Sequence, residues 1–148
     1  MAAPGDDEVL VQFNIMGGDA SIGARASDGS AREESNIFDV PSTDAWKDIW
    51  KSLKSNTTVL AVLDFTAQWC GPCRFIEPAV KELAGKFASV KFYKIDVDKM
   101  EDVATKWKVR AMPTFILVKG GQEVSRVVGA KKNELDRKIT QALQATKN

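Results

Sequence analysis

The chain of 148 residues has no histidine and only two cysteines. Without imidazole it has no Ser-His-Asp triad, no Cys-His protease pair and no histidine-ligated zinc site. Two cysteines are also too few for a four-thiolate zinc site within one chain, or for the framework of a disulfide-stapled secreted domain. Any cysteine chemistry in this protein must therefore belong to the two thiols themselves.

Long apolar runs and an excess of one charge are missing as well. The longest strongly apolar run, residues 59–63, is far shorter than the roughly 20 residues that a bilayer-spanning helix needs, so we expect no transmembrane segment. A formal net charge of +1, with 44% apolar and 28% charged residues, gives no reason to expect a nucleic-acid partner. The length is that of one domain with a proper core plus a tail.

The first 35 residues differ in composition from the rest. They hold seven acidic residues against two arginines, and half of the ten glycines. Such a segment buries too little apolar surface to offset the entropy of ordering, so we predict a flexible acidic, Gly-rich N-terminal extension over residues 1–35 and one domain over residues 36–148. Acidic residues stand where a secretory or mitochondrial leader would carry positive charge, which argues against a targeting peptide.

One motif in this extension concerns membranes. Residues 16–21, MGGDAS, match the N-myristoylation pattern, but only if Met16 were the initiator, because acylation requires a free N-terminal glycine. As written, Gly17 is internal, and the pattern favours a Gly-rich linker. We therefore expect membrane association only if Met16 is the true start and Gly17 is acylated.

From Asn36 onward the pattern alternates between strands and helices. Strand-like runs cover residues 36–40, 58–65, 90–97, 114–118 and 123–128. Helical spacing of apolar residues follows Ser42, the cysteine motif, Met100 and Lys131. Gly120-Gly121 predicts a hairpin between the last two strands. The order predicts an α/β fold with one central mixed sheet and helices on both faces.

The two cysteines form a C-x-x-C motif, Cys70-Gly71-Pro72-Cys73, directly after a buried strand and at the start of a helix. The free N–H groups and the positive dipole end of that helix should stabilise a thiolate at Cys70 and lower the pKa of its thiol. Cys73 lies one turn further along, so we expect it to be the more buried of the two. The pair can then cycle between dithiol and disulfide.

Four interpretations of the motif compete. Half of a zinc knuckle lacks its second half, and a structural disulfide that closes so small a loop would constrain the unfolded chain little. An iron–sulfur cluster that bridges two chains through Cys70 would need further thiol ligands. Redox catalysis, which a cytosolic C-x-x-C beside a strand-helix unit indicates, is the interpretation that the sequence favours.

Several motifs together resemble those of one family. They are residues 64–73, DFTAQWCGPC, with Pro78, then residues 112–115, MPTF, and residues 128–130, VGA. This combination is similar to the thioredoxin family, and AMPTF with VVGAKK resembles the h-type thioredoxins of plants. The resemblance covers about residues 36–146 and implies the thioredoxin fold, a central five-stranded mixed sheet flanked by four helices.

The resemblance also implies roles for individual residues. Cys70 would be the nucleophile that attacks a target disulfide, and Cys73 the resolving thiol. Asp64 would be the buried carboxylate that takes up the proton of Cys73; the alternative is a turn residue at a strand end. Lys94 would lie near Asp64 on the adjacent strand; the alternative is an exposed strand lysine of little energetic importance. Pro113 would be a cis-proline that faces the cysteines.

The remaining implied site residues form a small apolar surface around the sulfur that docks the extended backbone of a target. These are Trp69, Gly71, Pro72, Met112, Gly129 and Ala130, with Pro113. For Trp69 the alternative is ordinary core packing, whereas the other three tryptophans fall on helical stripes and are interpreted as core.

The function that the resemblance implies is protein-disulfide reduction in the cytoplasm by a monomer. No cofactor or metal would be bound; the redox group would be the Cys70–Cys73 disulfide, and electrons would come from an NADPH-dependent thioredoxin reductase. Proline stands where isomerase-type W-C-G-H-C sites have histidine, which favours a reductant. The alternative function is a redox-independent binding or chaperone module that uses the same apolar groove.

Overall fold

The computed structural model describes residues 35–145. The predicted N-terminal extension, including the MGGDAS motif, therefore lies outside the described residues. Within residues 35–145 no helix is long and apolar enough to cross a membrane.

The described residues form five strands and four helices in the predicted order. The strands are β1 (Ile37–Asp39), β2 (Leu60–Thr66), β3 (Lys91–Asp96), β4 (Thr114–Lys119) and β5 (Gln122–Val128). The helices are α1 (Thr43–Ser55), α2 (Gly71–Lys86), α3 (Glu101–Lys106) and α4 (Lys132–Ala145). Each predicted element is confirmed, with ends that differ from the prediction by one or two residues in most cases.

The sheet is mixed, and its strand order is β1-β3-β2-β4-β5. β3 pairs in parallel with both β1 and β2, whereas β4 is antiparallel to β2 and to β5. The crossovers through α1 and α2 supply the parallel part, and the hairpin at Gly120-Gly121 supplies the antiparallel part. Both glycines have positive φ, +60° and +84°, which explains why glycine is suited to this turn.

Two hydrophobic clusters lie on opposite faces of the sheet. In β2, Leu63 and Phe65 pack in the cluster that contains residues of α1 and α3, while Leu60 and Val62 pack in the cluster that contains residues of α2 and α4. Successive side chains of a strand point to opposite faces. A strand covered on both faces must be apolar throughout, which is why β2 reads as an unbroken apolar run.

Helix α1 begins and ends as the sequence predicts. The Ser42 hydroxyl accepts a hydrogen bond from the Ala45 N–H at 3.1 Å, and Asn56 is the C-cap. The helix packs one tryptophan, Trp46, into the core, and Trp50 and Trp107 pack against the same cluster as partly buried residues. The ring centroids of Trp50 and Trp107 lie 5.0 Å apart, edge to face.

Candidate active site

The two cysteines lie where β2 gives way to α2. Cys70 is the N-cap of α2, and the Cys73 N–H donates a hydrogen bond to the Cys70 sulfur at 3.2 Å. The two sulfurs are joined as a disulfide, with the Cα atoms 5.3 Å apart. The helix start therefore directs a backbone donor at the Cys70 sulfur, as the motif predicts.

Both cysteines are buried in this disulfide form. Cys70 is 4% exposed and Cys73 is 3% exposed, so the expected contrast in burial between them is nearly absent. They pack together with Ala67, and the partly buried Val97 and Met112 lie against this small cluster. The Cys70 sulfur lies 3.8 Å from the Met112 carbonyl oxygen. The segment before Pro113 thus closes one side of the sulfur pair, which explains the burial of Cys70.

Exposed apolar and small residues surround the pair on its solvent side. Trp69 is 64% exposed, so it is not a core residue, and Gly71 and Pro72 are exposed as well. The Trp69 indole N–H donates to the Asp98 carboxylate at 2.7 Å, which fixes the ring orientation. No atom lies within 4 Å of the position that a Cβ on Gly71 would occupy. The start of α2 therefore presents open space beside the sulfurs.

A second loop lies next to the sulfurs. The Met112–Pro113 bond is cis, as the resemblance implies, and the Gly129 N–H donates to the Pro113 carbonyl at 2.8 Å. Gly129 has φ +105°, a conformation that residues with a side chain rarely adopt. Ala130 packs against the α2/α4 side of the core. One hydrogen bond thus ties the predicted docking residues of two separate loops together.

Asp64 lies inside β2 rather than at a turn, and it is only 5% exposed. Burial raises the pKa of its carboxyl group to about 7; the positive charge of Lys94 lowers it, and the negative charges of Glu77 and Asp39 raise it further. Within residues 35–145 the structure shows no hydrogen bond or ion pair to this carboxyl group. A buried acid without a partner holds its proton up to neutral pH.

Lys94 is the strand neighbour of Asp64 in the register of β2 and β3, as expected. Its ammonium, however, lies 2.9 Å from the Glu77 carboxylate and 4.0 Å from that of Asp39. Burial lowers the pKa of Lys94, but its hydrogen bond to Glu77 and the surrounding carboxylates raise it by more. Lys94 is therefore neither a fully exposed lysine nor an ion-pair partner of Asp64 among the described contacts.

Two residues at the site are absent from the sequence-based prediction. Glu77 holds Lys94, and Asp98 holds the Trp69 indole. Glu77 follows Cys73 by four residues in α2, so a helix-face argument could have placed it beside the redox pair. Asp98 follows the end of β3 in a turn, and its position against Trp69 depends on tertiary structure that spacing does not reveal.

Residues 35–145 contain no group of three cysteine or acidic side chains placed to hold a metal ion. A disulfide that caps a helix after a buried strand, with a cis-proline loop against one of its sulfurs, defines a protein of the thiol–disulfide exchange class.

Comparison with known proteins assigns the chain within this class. The family model "Thioredoxin" matches residues 42–141. Thioredoxin H2-2 of Oryza sativa subsp. japonica is 55% identical over 121 residues, which cover 82% of this chain and 88% of that protein. Thioredoxin H2 of Arabidopsis thaliana is 46% identical over 112 residues, with coverage of 76% and 84%.

Solved structures agree with these sequences. The crystal structure of thioredoxin NaTrxh from Nicotiana alata matches with a TM-score of 0.70 and 47% identity, and the match covers 76% of this chain and 97% of that chain. The wild-type poplar thioredoxin h, PtTrxh4, matches with a TM-score of 0.67 and 35% identity, over 73% and 96% of the two chains. The chain belongs to the thioredoxin family, and its curated relatives include plant h-type thioredoxins.

As a thioredoxin, the chain is a thiol–disulfide oxidoreductase whose redox group is its own Cys70–Cys73 disulfide. Thioredoxins reduce disulfide-containing proteins and are regenerated by thioredoxin reductase. The alternative of a redox-independent binding module is not favoured, since the two cysteines are paired as the exchange reaction requires.

Proposed function

We propose that this thioredoxin reduces target disulfides with Cys70 as the attacking thiol and Cys73 as the resolving thiol. The observation that carries this assignment is the hydrogen bond from the Cys73 N–H to the Cys70 sulfur at the start of α2. A donor and a helix dipole that both point at one sulfur stabilise negative charge there, so Cys70 is the better nucleophile of the two.

The reaction then proceeds in two exchange steps. In the reduced protein the Cys70 thiolate attacks one sulfur of the target disulfide, which forms a mixed disulfide and releases the other target sulfur as a thiolate. Cys73 loses its proton and attacks the Cys70 sulfur, which breaks the mixed disulfide and releases the second target thiolate. The target gains two electrons, and the protein is left with the Cys70–Cys73 disulfide.

We assign the proton transfer to Asp64, which accepts the Cys73 proton in the second step, through water. A carboxyl group with a pKa of about 7 is close to half-ionised at neutral pH, so it both accepts and returns a proton there. Lys94, in register with Asp64, supplies positive charge near the carboxylate as it forms. Its ammonium contacts Glu77 and Asp39 rather than Asp64, so it acts on the carboxylate of Asp64 through space.

The docking surface is assigned to the residues that surround the sulfurs, Trp69, Gly71, Pro72, Met112, Pro113, Gly129 and Ala130. A target must bring its disulfide to a sulfur that is nearly buried, so its backbone has to approach closely. Support comes from the exposure of Trp69 and from the open space beside Gly71. The fixed orientation of the Trp69 ring lowers the entropic cost of docking.

We further propose that the protein acts in the cytoplasm as a monomer, with an NADPH-dependent reductase as its electron source. A compartment that keeps thiols reduced suits a dithiol that must be regenerated after each turnover. Fractionation of cells would test the compartment, and light scattering coupled to size-exclusion chromatography would test the oligomeric state. Intact-mass measurement of the native N-terminus would show whether Met16 is the start and Gly17 is acylated.

Insulin reduction tests the central assignment. Wild-type protein with dithiothreitol as electron donor should precipitate the insulin B chain, and Cys70→Ser should reduce the rate to that of dithiothreitol alone. Replacement of Ser125, a partly buried residue of β5, by Ala is a matched control for handling and folding. Activity of Cys70→Ser equal to that of wild type would refute the assignment of the nucleophile.

A further inference from the structure

A row of charged residues crosses three adjacent strands of the sheet. Asp39 of β1 is opposite Lys94 of β3, and Lys94 is opposite Asp64 of β2. The row lies on the α2 side of the sheet, as the alternate neighbours Val62 and Phe92 show by packing with the α2/α4 cluster. Lys94 thus has an acidic residue opposite it on each of the two neighbouring strands.

The Lys94 ammonium is directed at the Glu77 carboxylate, to which it donates a hydrogen bond. Lys94 lies 2.9 Å from Glu77 and 4.0 Å from Asp39, and no ion pair with Asp64 exists among the described residues. The partners of Lys94 are also more exposed to solvent than Asp64 is: the side chains of Glu77 and Asp39 are 45% and 87% exposed, whereas Asp64 is 5% exposed. Glu77 is the nearer and less exposed partner, so it is the contact that holds the lysine in this direction.

The direction matters for the proton on Asp64. A lysine that paired with Asp64 directly would favour the carboxylate and release its proton at lower pH. The charged groups that face Asp64 come from β1 (Asp39), β3 (Lys94) and α2 (Glu77), and its β4 neighbour Phe115 carries no charge. Of these groups Lys94 alone opposes the proton, so the position of its ammonium sets how far it offsets the effect of burial.

We propose that Glu77 is a positioning residue that holds the Lys94 ammonium away from Asp64 and thereby favours the protonated form of the Asp64 carboxyl group. This inference rests on the proposed function of Asp64 as the proton acceptor of Cys73. Glu77 is suited to the role because it follows Cys73 by one helical turn on the same face of α2. The helix that supplies the resolving thiol therefore also supplies the residue that prepares its proton acceptor.

The titration of Asp64 itself is the direct test. In the oxidised protein, where neither cysteine titrates, the carboxyl carbon of Asp64 is followed by NMR from pH 4 to 9. Glu77→Gln should lower the midpoint by ~1 pH unit, because Lys94 is freed to approach Asp64. Glu82→Gln is the matched control, since Glu82 is on the same helix and pairs with Lys132 at 2.7 Å, and it should leave the midpoint unchanged.

A second variant separates positioning from the charge of Glu77 alone. In a Lys94→Met background, Glu77→Gln should shift the midpoint by less than half of its effect in the wild-type background. A shift of the same size in both backgrounds would overturn the positioning role, because Glu77 would then act by its own charge. An unchanged midpoint in the single Glu77→Gln variant would overturn it as well.

The pH profile connects the titration to function. In single-turnover reduction of a target disulfide by Glu77→Gln, the pH dependence of the second exchange step should shift together with the Asp64 midpoint. If the midpoint shifts but the pH dependence of the rate does not, the link to catalysis is overturned. If the wild-type protein fails to reduce insulin, the proposed function is refuted. The NMR titration would still decide whether Glu77 positions Lys94.

Discussion

Replacement of Asp64 by asparagine should make the protein more stable and less active at the same time. Asparagine has nearly the same size and shape, but it stays uncharged at every pH. Burial raises the pKa of Asp64 from 3.8 to about 7, so the fold disfavours its ionised form. The wild-type protein therefore carries a cost above neutral pH that the Asp64→Asn variant does not carry.

The size and sign of the effect follow from the shift in pKa. Because the folded value is the higher one, the stabilising contribution of the protonated acid is complete below pH 3.8 and is lost as the pH rises through about 7. A shift of roughly three pH units at 1.36 kcal/mol per unit corresponds to about 4 kcal/mol. The difference in free energy of unfolding between Asp64→Asn and wild type should therefore be larger at pH 9 than at pH 3 by at most this amount. Between these limits the difference should grow by at most ~1.4 kcal/mol per pH unit.

Urea unfolding of the oxidised proteins at several pH values between 3 and 9 measures this difference, since in the oxidised state no thiol titrates. Asp136→Asn is the control: it removes a carboxylate from a surface ion pair with Lys86, worth less than ~1 kcal/mol. Parallel curves of stability against pH for wild type and Asp64→Asn would refute the account of Asp64. The same variant should slow the second exchange step on the order of 10²-fold near neutral pH, as loss of a general base does.

Three further predictions concern other residues. Cys73→Ser should trap target proteins as mixed disulfides, seen as added mass on non-reducing gels that dithiothreitol removes; free release of targets by this variant would contradict the resolving role. Gly71→Ala should change stability by less than ~0.5 kcal/mol in thermal melts, because its Cβ would meet nothing within 4 Å, yet it should raise the KM for insulin if targets dock there. An unchanged KM would place docking elsewhere. Ser42→Ala should cost ~1 kcal/mol in urea unfolding through loss of the α1 N-cap, with insulin reduction unaffected.

The sequence predicts the elements of this fold well because their signals are local. Ser42 marks the start of α1, Gly120-Gly121 marks the hairpin, and the unbroken apolar run of β2 marks a strand covered on both faces. The thiol pair is equally visible, because its chemistry depends on two cysteines three positions apart at the start of a helix.

What the sequence does not reveal is the register between strands that are distant along the chain. The alignment of Asp39, Lys94 and Asp64 in one row depends on the register of each parallel strand pair. Residue spacing along the chain does not encode that register. The resemblance implies that Lys94 lies near Asp64, and the two residues are paired in the register of β2 and β3. The partner that the Lys94 ammonium contacts, Glu77, is set by the packing of α2 on the sheet. The near-equal burial of the cysteines likewise depends on the Met112 loop that lies over them.

The distribution of the four tryptophans gives the protein two separate optical reporters. Trp46, Trp50 and Trp107 lie in or against the cluster on the α1/α3 face, whereas Trp69 stands in solvent next to Cys70. Emission from the first three should follow unfolding, and emission from Trp69 should follow reduction of the disulfide. The fluorescence of a Trp69→Phe protein should therefore not change on reduction of the disulfide, but it should still change on unfolding.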